Sequence, residues 1–250
     1  MLAKEPPLTP APGGDHGAGF VGILMLETRF PRPPGDIGNP STFKFPVRYE
    51  TVRGASPQKV VRERAADLLQ PFIVAGQRLC ADGALGISTS CGFLALFQRE
   101  LAQALPVPVA TSSLLQVAWL QRLLAPASAV GVVTIDAGTL SADHLRAVGA
   151  PVDLPIEGVA PDGEFARRLL GNEPTLDVGR AQADVVQAAQ RLVQRRPDIA
   201  ALVLECTNMP PYARAVAQAT GRPVYDVVSL LNWLWAGVSG RADVRQGHAQ

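Results

Sequence analysis

The chain has 250 residues, of which 47% are hydrophobic and 18% charged, and its net charge is +1. Such a charge supplies no basic field for nucleic acid or an anionic membrane, and no apolar run approaches the roughly 20 residues that span a bilayer. Three cysteines and three histidines are too few for a disulfide framework, a histidine-based triad or a His/Cys zinc site, and the odd cysteine count points to a reducing, cytoplasmic compartment.

Residues 1–19, which contain Pro6–Gly14, read as a flexible leader; Lys4 is followed by Pro, Gly and Asp where a signal peptide needs an apolar core. Short apolar runs then alternate with helical patterns, as in a mostly parallel sheet covered by helices. The expected strands are Phe20–Leu26, Pro46–Val52, Ala84–Ser88, Val107–Ala110, Ala129–Ile135, Val152–Ile156, Ala200–Leu204 and Pro223–Tyr225. Between the first two, the Pro-rich segment Pro31–Pro46 is long for a plain connection, which makes it a candidate lid or substrate loop. Ser56 and Pro57 form a helix start, and Val61, Ala65, Leu68 and Phe72 share one stripe, with Pro71 expected to divide the stretch into two helices. Cys80, late in this stretch, reads as a small apolar filler. His144 is expected on a solvent-facing helix surface, and Val185, Ala189 and Leu192 on one helix face. Trp119, Trp233 and Trp235 read as core or dimer contacts, and 240–250 as a polar, flexible tail.

The chain repeats itself. Asp82–Ile87 leads to Cys91 and Asp198–Val203 leads to Cys206; Leu101–Val109 aligns with Val216–Val224; both the block and the cysteines are displaced by 115 residues. Val21–Leu24 and Val130–Val133 match as first strands. The fold class is therefore α/β with two similar lobes, 20–124 carrying Cys91 and 125–239 carrying Cys206, with the last helix crossing back onto the first lobe. Each cysteine follows a strand and precedes a helix, at the carboxyl edge of a sheet where ligands bind. The helix N-terminus there is expected to favour thiolate. Two such sulfurs facing each other across the cleft between the lobes can remove a proton from one face of an α-carbon and return it to the other. The turn amides can hold the substrate carboxylate and the charge that develops on it, with no metal or organic cofactor required. Ser90, Gly92, Thr207, Asn208, Thr134 and Thr139 sit around these turns as hydrogen-bonding candidates. Arg29 is a candidate clamp for a second carboxylate. Glu205, beside Cys206, reads as solvated or bonded to backbone.

Thr89–Phe93, Glu205–Pro210 and Gly131–Thr139 resemble the aspartate/glutamate racemase superfamily over about residues 20–236. The resemblance implies two pseudo-symmetric flavodoxin-like lobes, a cofactor-independent site in the cleft between them and frequent dimers. It implies Cys91 and Cys206 as the acid–base pair, with Ser90, Gly92, Thr207 and Asn208 on the carboxylate and Thr134 and Thr139 assisting. Glu27–Arg29 stands where glutamate racemases carry an Asp-Ser pair, and Asn208 where they carry a histidine, so glutamate is not implied as substrate. Arylmalonate decarboxylases resemble single-cysteine relatives and maleate isomerases two-cysteine ones. The expected function is an isomerase, a racemase or epimerase of a small carboxylate. A decarboxylase or cis–trans isomerase on this scaffold, or a non-catalytic carboxylate-binding protein, are the alternatives.

Overall fold

Aliphatic and β-branched runs of two to seven residues become the strands of two parallel sheets. The computed structural model describes residues 19–65 and 67–246, with side chains as far as Gly240; most of the expected leader and residues 247–250 of the expected tail lie outside. The first sheet has the order β2-β1-β3-β4, formed by β1 (Phe20–Leu26), β2 (Val47–Val52), β3 (Ala84–Thr89) and β4 (Val109–Ala110). The second has the order β6-β5-β7-β8, formed by β5 (Ala129–Thr134), β6 (Ile156–Gly158), β7 (Ile199–Leu204) and β8 (Val224–Tyr225).

The repetition extends to register. Ile87 pairs with Val109 as Leu202 pairs with Val224, both partners displaced by the same 115 residues. The pairing of β1 with β3 shifts between Phe20 and Val21, and that of β5 with β7 shifts between Ala129 and Val130, the matching position. A shared irregularity is a stronger sign of duplication than a shared strand order, because any open parallel sheet can adopt the order.

Two expectations need correction. The sixth strand begins at Ile156, not Val152. Pro151 and Pro155 have no N–H to give a ladder, and the Pro155 carbonyl instead accepts Val132 N–H just ahead of the strand. In the 57–81 stretch, α1 (Pro57–Val61) is capped by the Ser56 side chain, which accepts from Lys59 N–H at 3.2 Å. It ends well before Pro71, where Arg64 and Ala65 turn left-handed with φ of 57° and 51°. Pro71 lies in the first turn of α2 (Leu69–Ala81), where a missing N–H costs nothing.

The final helix, α9 (Val227–Gln246), runs through Gln246, into the segment expected to be a tail. As expected, it crosses back onto the first lobe. Leu230, Leu231, Leu234 and Val238 pack with Val21, Ile23 and Met25 on one face of the first sheet. Trp235 stacks on Phe45 with ring centres 5.0 Å apart. No helix among the described residues is long and apolar enough to cross a membrane.

Candidate active site

β3 and β7 end at matching turns, and the two turns meet. Cys91 is the residue before a 3-10 helix, Gly92–Phe97, and Cys206 directly follows β7 and Glu205. The turns are joined by the Thr207 hydroxyl, which donates to the Ser90 carbonyl at 2.6 Å. Ser113 ties in alongside, its hydroxyl donating to the Leu204 carbonyl at 2.7 Å. Both sulfurs line one cavity of about 20 Å³, together with Ser90, Gly92, Glu205 and Asn208. Apart from Thr28, its other walls are apolar: Leu26, Phe30, Pro57, Val61, Phe93, Ile135, Leu169 and Leu170. That volume holds about one water molecule.

The buried acid between the turns is the feature that the sequence alone did not reveal. Glu205 is fully buried and is neither solvated nor bonded to backbone through its carboxylate. Thr134, at the end of β5, donates its hydroxyl to Oε2 at 2.7 Å, while Oε1 has no partner. Gly92 leaves the room this carboxyl occupies, for a Cβ there would lie 2.2 Å from Oε1. No alternation marks Glu205, because β7 is apolar on both faces; its place directly after that buried run is the one weak hint. A buried acid in such a place needs a reason.

Burial decides the titration of this cluster. It raises Glu205 to about 7, against the pull of the Thr134 bond. Cys91 is pushed up to about 12 by burial and by the charge of Glu205; the amides of Phe93 and Leu94 and the Arg32 guanidinium oppose this. Cys206 is also raised well above its ordinary value for the same first two reasons, with the Asn208 amide opposing and Cys91 and Asp36 adding to the rise. The helix-start amides do favour thiolate, as expected, but burial and a neighbouring carboxylate outweigh them. Before substrate binds, both thiols are protonated.

The loop 31–46 folds over the Cys206 turn. Asp36, 1% exposed, accepts from Arg32 at 2.8 Å and from the Asn208 amide at 2.7 Å. Arg32 also donates to Thr28 at 2.9 Å, and Ile37 N–H reaches the Thr207 carbonyl at 3.3 Å. Cys206 in turn donates to Asn208 Oδ1 at 3.6 Å, so a chain of polar contacts runs from the loop to the sulfur. Arg29 is exposed, its backbone N–H bonded to Asn172, and the arginine whose charge reaches Cys91 is Arg32.

The other expected residues divide. Ser90, Gly92 and Asn208 line the cavity with the two cysteines. The hydroxyls of Thr134 and Thr207 are engaged inside the protein, as buried hydroxyls generally are. Thr139 closes a turn by donating to the Asp136 carbonyl at 3.3 Å. His144 is buried rather than solvent-facing: its ring meets Phe93 edge-on at 5.1 Å, and its Nδ1 accepts from Ser141 N–H at 3.1 Å.

No protein-family model matches the chain. Sequence comparison finds dimethylsulfoniopropionate lyases. One from Durusdinium sp. clade D is 28% identical over 232 residues, covering 90% of this chain and 76% of that protein. Lyases 5 and 7 of Emiliania huxleyi (strain CCMP1516) are 27% and 28% identical over 86% and 85% of this chain, which spans 44% and 65% of their lengths. Structure comparison finds an arylmalonate decarboxylase, TM-score 0.56 at 16% identity, over 88% of this chain and 92% of that one. A glutamate racemase isoform from Bacillus anthracis gives 0.56 at 17%, over 89% and 83%. The fold is that of the arylmalonate decarboxylases and the Asp/Glu racemases.

The expectation of an isomerase is overturned by these relatives, which are named lyases. Removing a proton from an α-carbon opens both reactions. The product then depends on whether the next carbon carries a leaving group, and a pair of cysteines does not encode that.

Proposed function

We propose that the chain is a lyase of small carboxylates carrying a β-sulfonium leaving group, with dimethylsulfoniopropionate as the substrate to test. The observation that carries the reading is the character of the cavity: a buried acid and two thiols set in apolar walls. A dimethylsulfonio group is a cation whose surface is methyl, so it needs negative charge and apolar contact together. Glu205 supplies the first, and Phe30, Phe93 and the leucines the second. The amides of the two cysteine turns, with Arg32 nearby, supply donors for the carboxylate end.

One sulfur, as thiolate, takes the α-proton. The C–H electron pair forms the new double bond, the β-carbon–sulfur bond breaks, and dimethyl sulfide leaves with that bond's electrons, giving acrylate and a neutral thiol. Cys91 is the easier of the two to ionise, having two amides and Arg32 in its favour. Cys206, as the neutral thiol, donates toward the charge that builds on the carboxylate. A bound sulfonium offsets the charge of Glu205, which adds to burial in holding the thiols protonated before substrate binds.

Incubating the purified protein with dimethylsulfoniopropionate tests this, with dimethyl sulfide measured in the headspace and acrylate by NMR. Both products are expected in equal amounts, and Cys91→Ala and Cys206→Ala are each expected to lower kcat by about 100-fold or more. Absence of both products with correctly folded protein rejects the reading. Release of carbon dioxide from a malonate instead would point to a decarboxylase.

A further inference from the structure

We propose that Glu205 is the positioning acid of the two-thiol site, and that Cys91, Cys206 and Glu205 share a single negative charge, so that either thiol ionises only as Glu205 becomes neutral. The geometry is that of a carboxyl wedged between two turns. Glu205 is joined directly to Cys206 along the chain, and its side chain lies against Gly92, the residue after Cys91. Thr134 fixes one oxygen, and the other is buried without a partner. A buried carboxylate left half-satisfied is costly. Nothing in its own bonding requires an acid there, since an amide could accept from Thr134 equally well.

The charged and titratable groups around it are few. Cys91 faces it from the turn after β3 and Cys206 from its own turn. Asp36 and Arg32 stand on the loop 31–46, paired to each other. Tyr212 lies beyond Cys206 and Asp36, its hydroxyl raised by burial and by their charges. Arg32 is engaged by Asp36 and Thr28 and is not bonded to Glu205. Two anions lining one small buried pocket repel strongly, and the groups therefore titrate as a set. Before a ligand binds, the charge rests on Glu205, the most acidic of the three. It moves to sulfur when a proton reaches the carboxyl.

This inference rests on the three groups alone and not on the lyase reading, so its test tracks thiol ionisation and not turnover. In a Cys80→Ser background, the rate of iodoacetamide labelling at Cys91 is measured against pH by peptide mass mapping. Glu205→Gln, which retains an acceptor for Thr134, is expected to move the Cys91 profile at least one pH unit lower and to raise labelling at pH 8 about tenfold. Thr134→Val removes the bond that favours the charged carboxylate. It is expected to raise labelling between about pH 7 and 8, with Thr134→Ser restoring the original profile. An unmoved profile in Glu205→Gln protein of native circular dichroism overturns the proposal. Should that variant not fold, an unmoved profile in Thr134→Val overturns it equally.

Discussion

Two buried titratable residues give the stability of this protein opposite slopes with pH. Glu205 is held at about 7, above its ordinary 4.5, so the folded state binds its proton more tightly than the unfolded chain does. Its contribution is greatest below 4.5, falls by about 3 kcal/mol as pH rises to about 7, and is constant above. His144 is held neutral, at about 4 against 6.5, by burial and the Arg64 charge. Its contribution is complete above 6.5 and is lost as pH falls toward 4. Urea midpoints measured from pH 5 to 8 are expected to be nearly level in the native protein. They should rise with pH up to about 6.5 in Glu205→Gln and fall with pH up to about 7 in His144→Gln. Matching slopes in the two variants would show that these groups do not titrate as described. Gly92→Ala tests the same cluster by volume. Its Cβ meets both the side chain and the backbone of Glu205, at 2.2 and 2.3 Å. It is expected to cost about 1–3 kcal/mol and to remove activity, where Gly54→Ala, whose φ of +78° also strains a side chain but whose Cβ meets nothing, is expected to affect stability only. At this scale the sequence was legible where residue type alone signals chemistry, as for Cys91 and Cys206 at matching turns. It was illegible for Glu205, because a carboxylate beside a turn is usually solvated and only the closure of Gly92 and Thr134 around it says otherwise. Arg32 was hidden by Arg29 for a related reason: in an irregular loop no periodicity says which of two nearby arginines points inward.

The loop 31–46 has the length of a lid and the contacts of one. Its ends are anchored by β1 and β2, while its middle is held to the Cys206 turn by Asp36–Asn208 and Ile37–Thr207. A cavity the size of one water cannot take a three-carbon acid, so this cover must move for any substrate to enter. Gly35 adopts φ of +100° and its Cα sits against the backbone of Pro211, where a Cβ would be 3.0 Å from the proline Cα. Asp36→Ala removes the acceptor of both Arg32 and Asn208 and leaves the Arg32 guanidinium with Thr28 and the face of Phe30. It is expected to raise KM at least about tenfold and to speed trypsin cleavage within the loop at Lys44, because a hydrogen bond to a charged group is worth about 1.5–3 kcal/mol. Unchanged proteolysis would mean that the loop is held by its apolar residues, Ile37 and Phe43, and not by Asp36. The strands flanking this loop could be drawn within a residue or so from alternation and composition. The polar ties inside the loop could not, since they join residues such as Asp36 and Asn208 that lie far apart in the chain.

Across the whole molecule, the two lobes are stitched on two sides. At the front, Thr207–Ser90 and Ser113–Leu204 bond one lobe to the other beside the cysteines. At the back, α9 leaves the second lobe after Asp226 and lies on the first sheet, and Gln116 of the first lobe donates to the Asp226 carbonyl at 2.8 Å. Duplication alone would give two units able to unfold separately, each with its own sheet. The crossing of α9 removes that independence, because one face of the first sheet has its apolar cover, Leu230, Leu231 and Leu234, only while the second lobe is folded enough to present it. Calorimetry of the native protein is therefore expected to show one cooperative transition, with calorimetric and van't Hoff enthalpies equal. Leu231→Ala, at a fully buried position of that face, is expected to cost about 2–5 kcal/mol. Because it loosens the strap more than either sheet, it should also split the transition, the first lobe melting at the lower temperature. Leu192→Ala, equally buried but on the helix Val178–Arg195 within the second lobe, serves as the contrast: a similar loss with the transition still single. Two resolved transitions in the native protein would show instead that the lobes are held together by the front bonds alone and that α9 packs without coupling them.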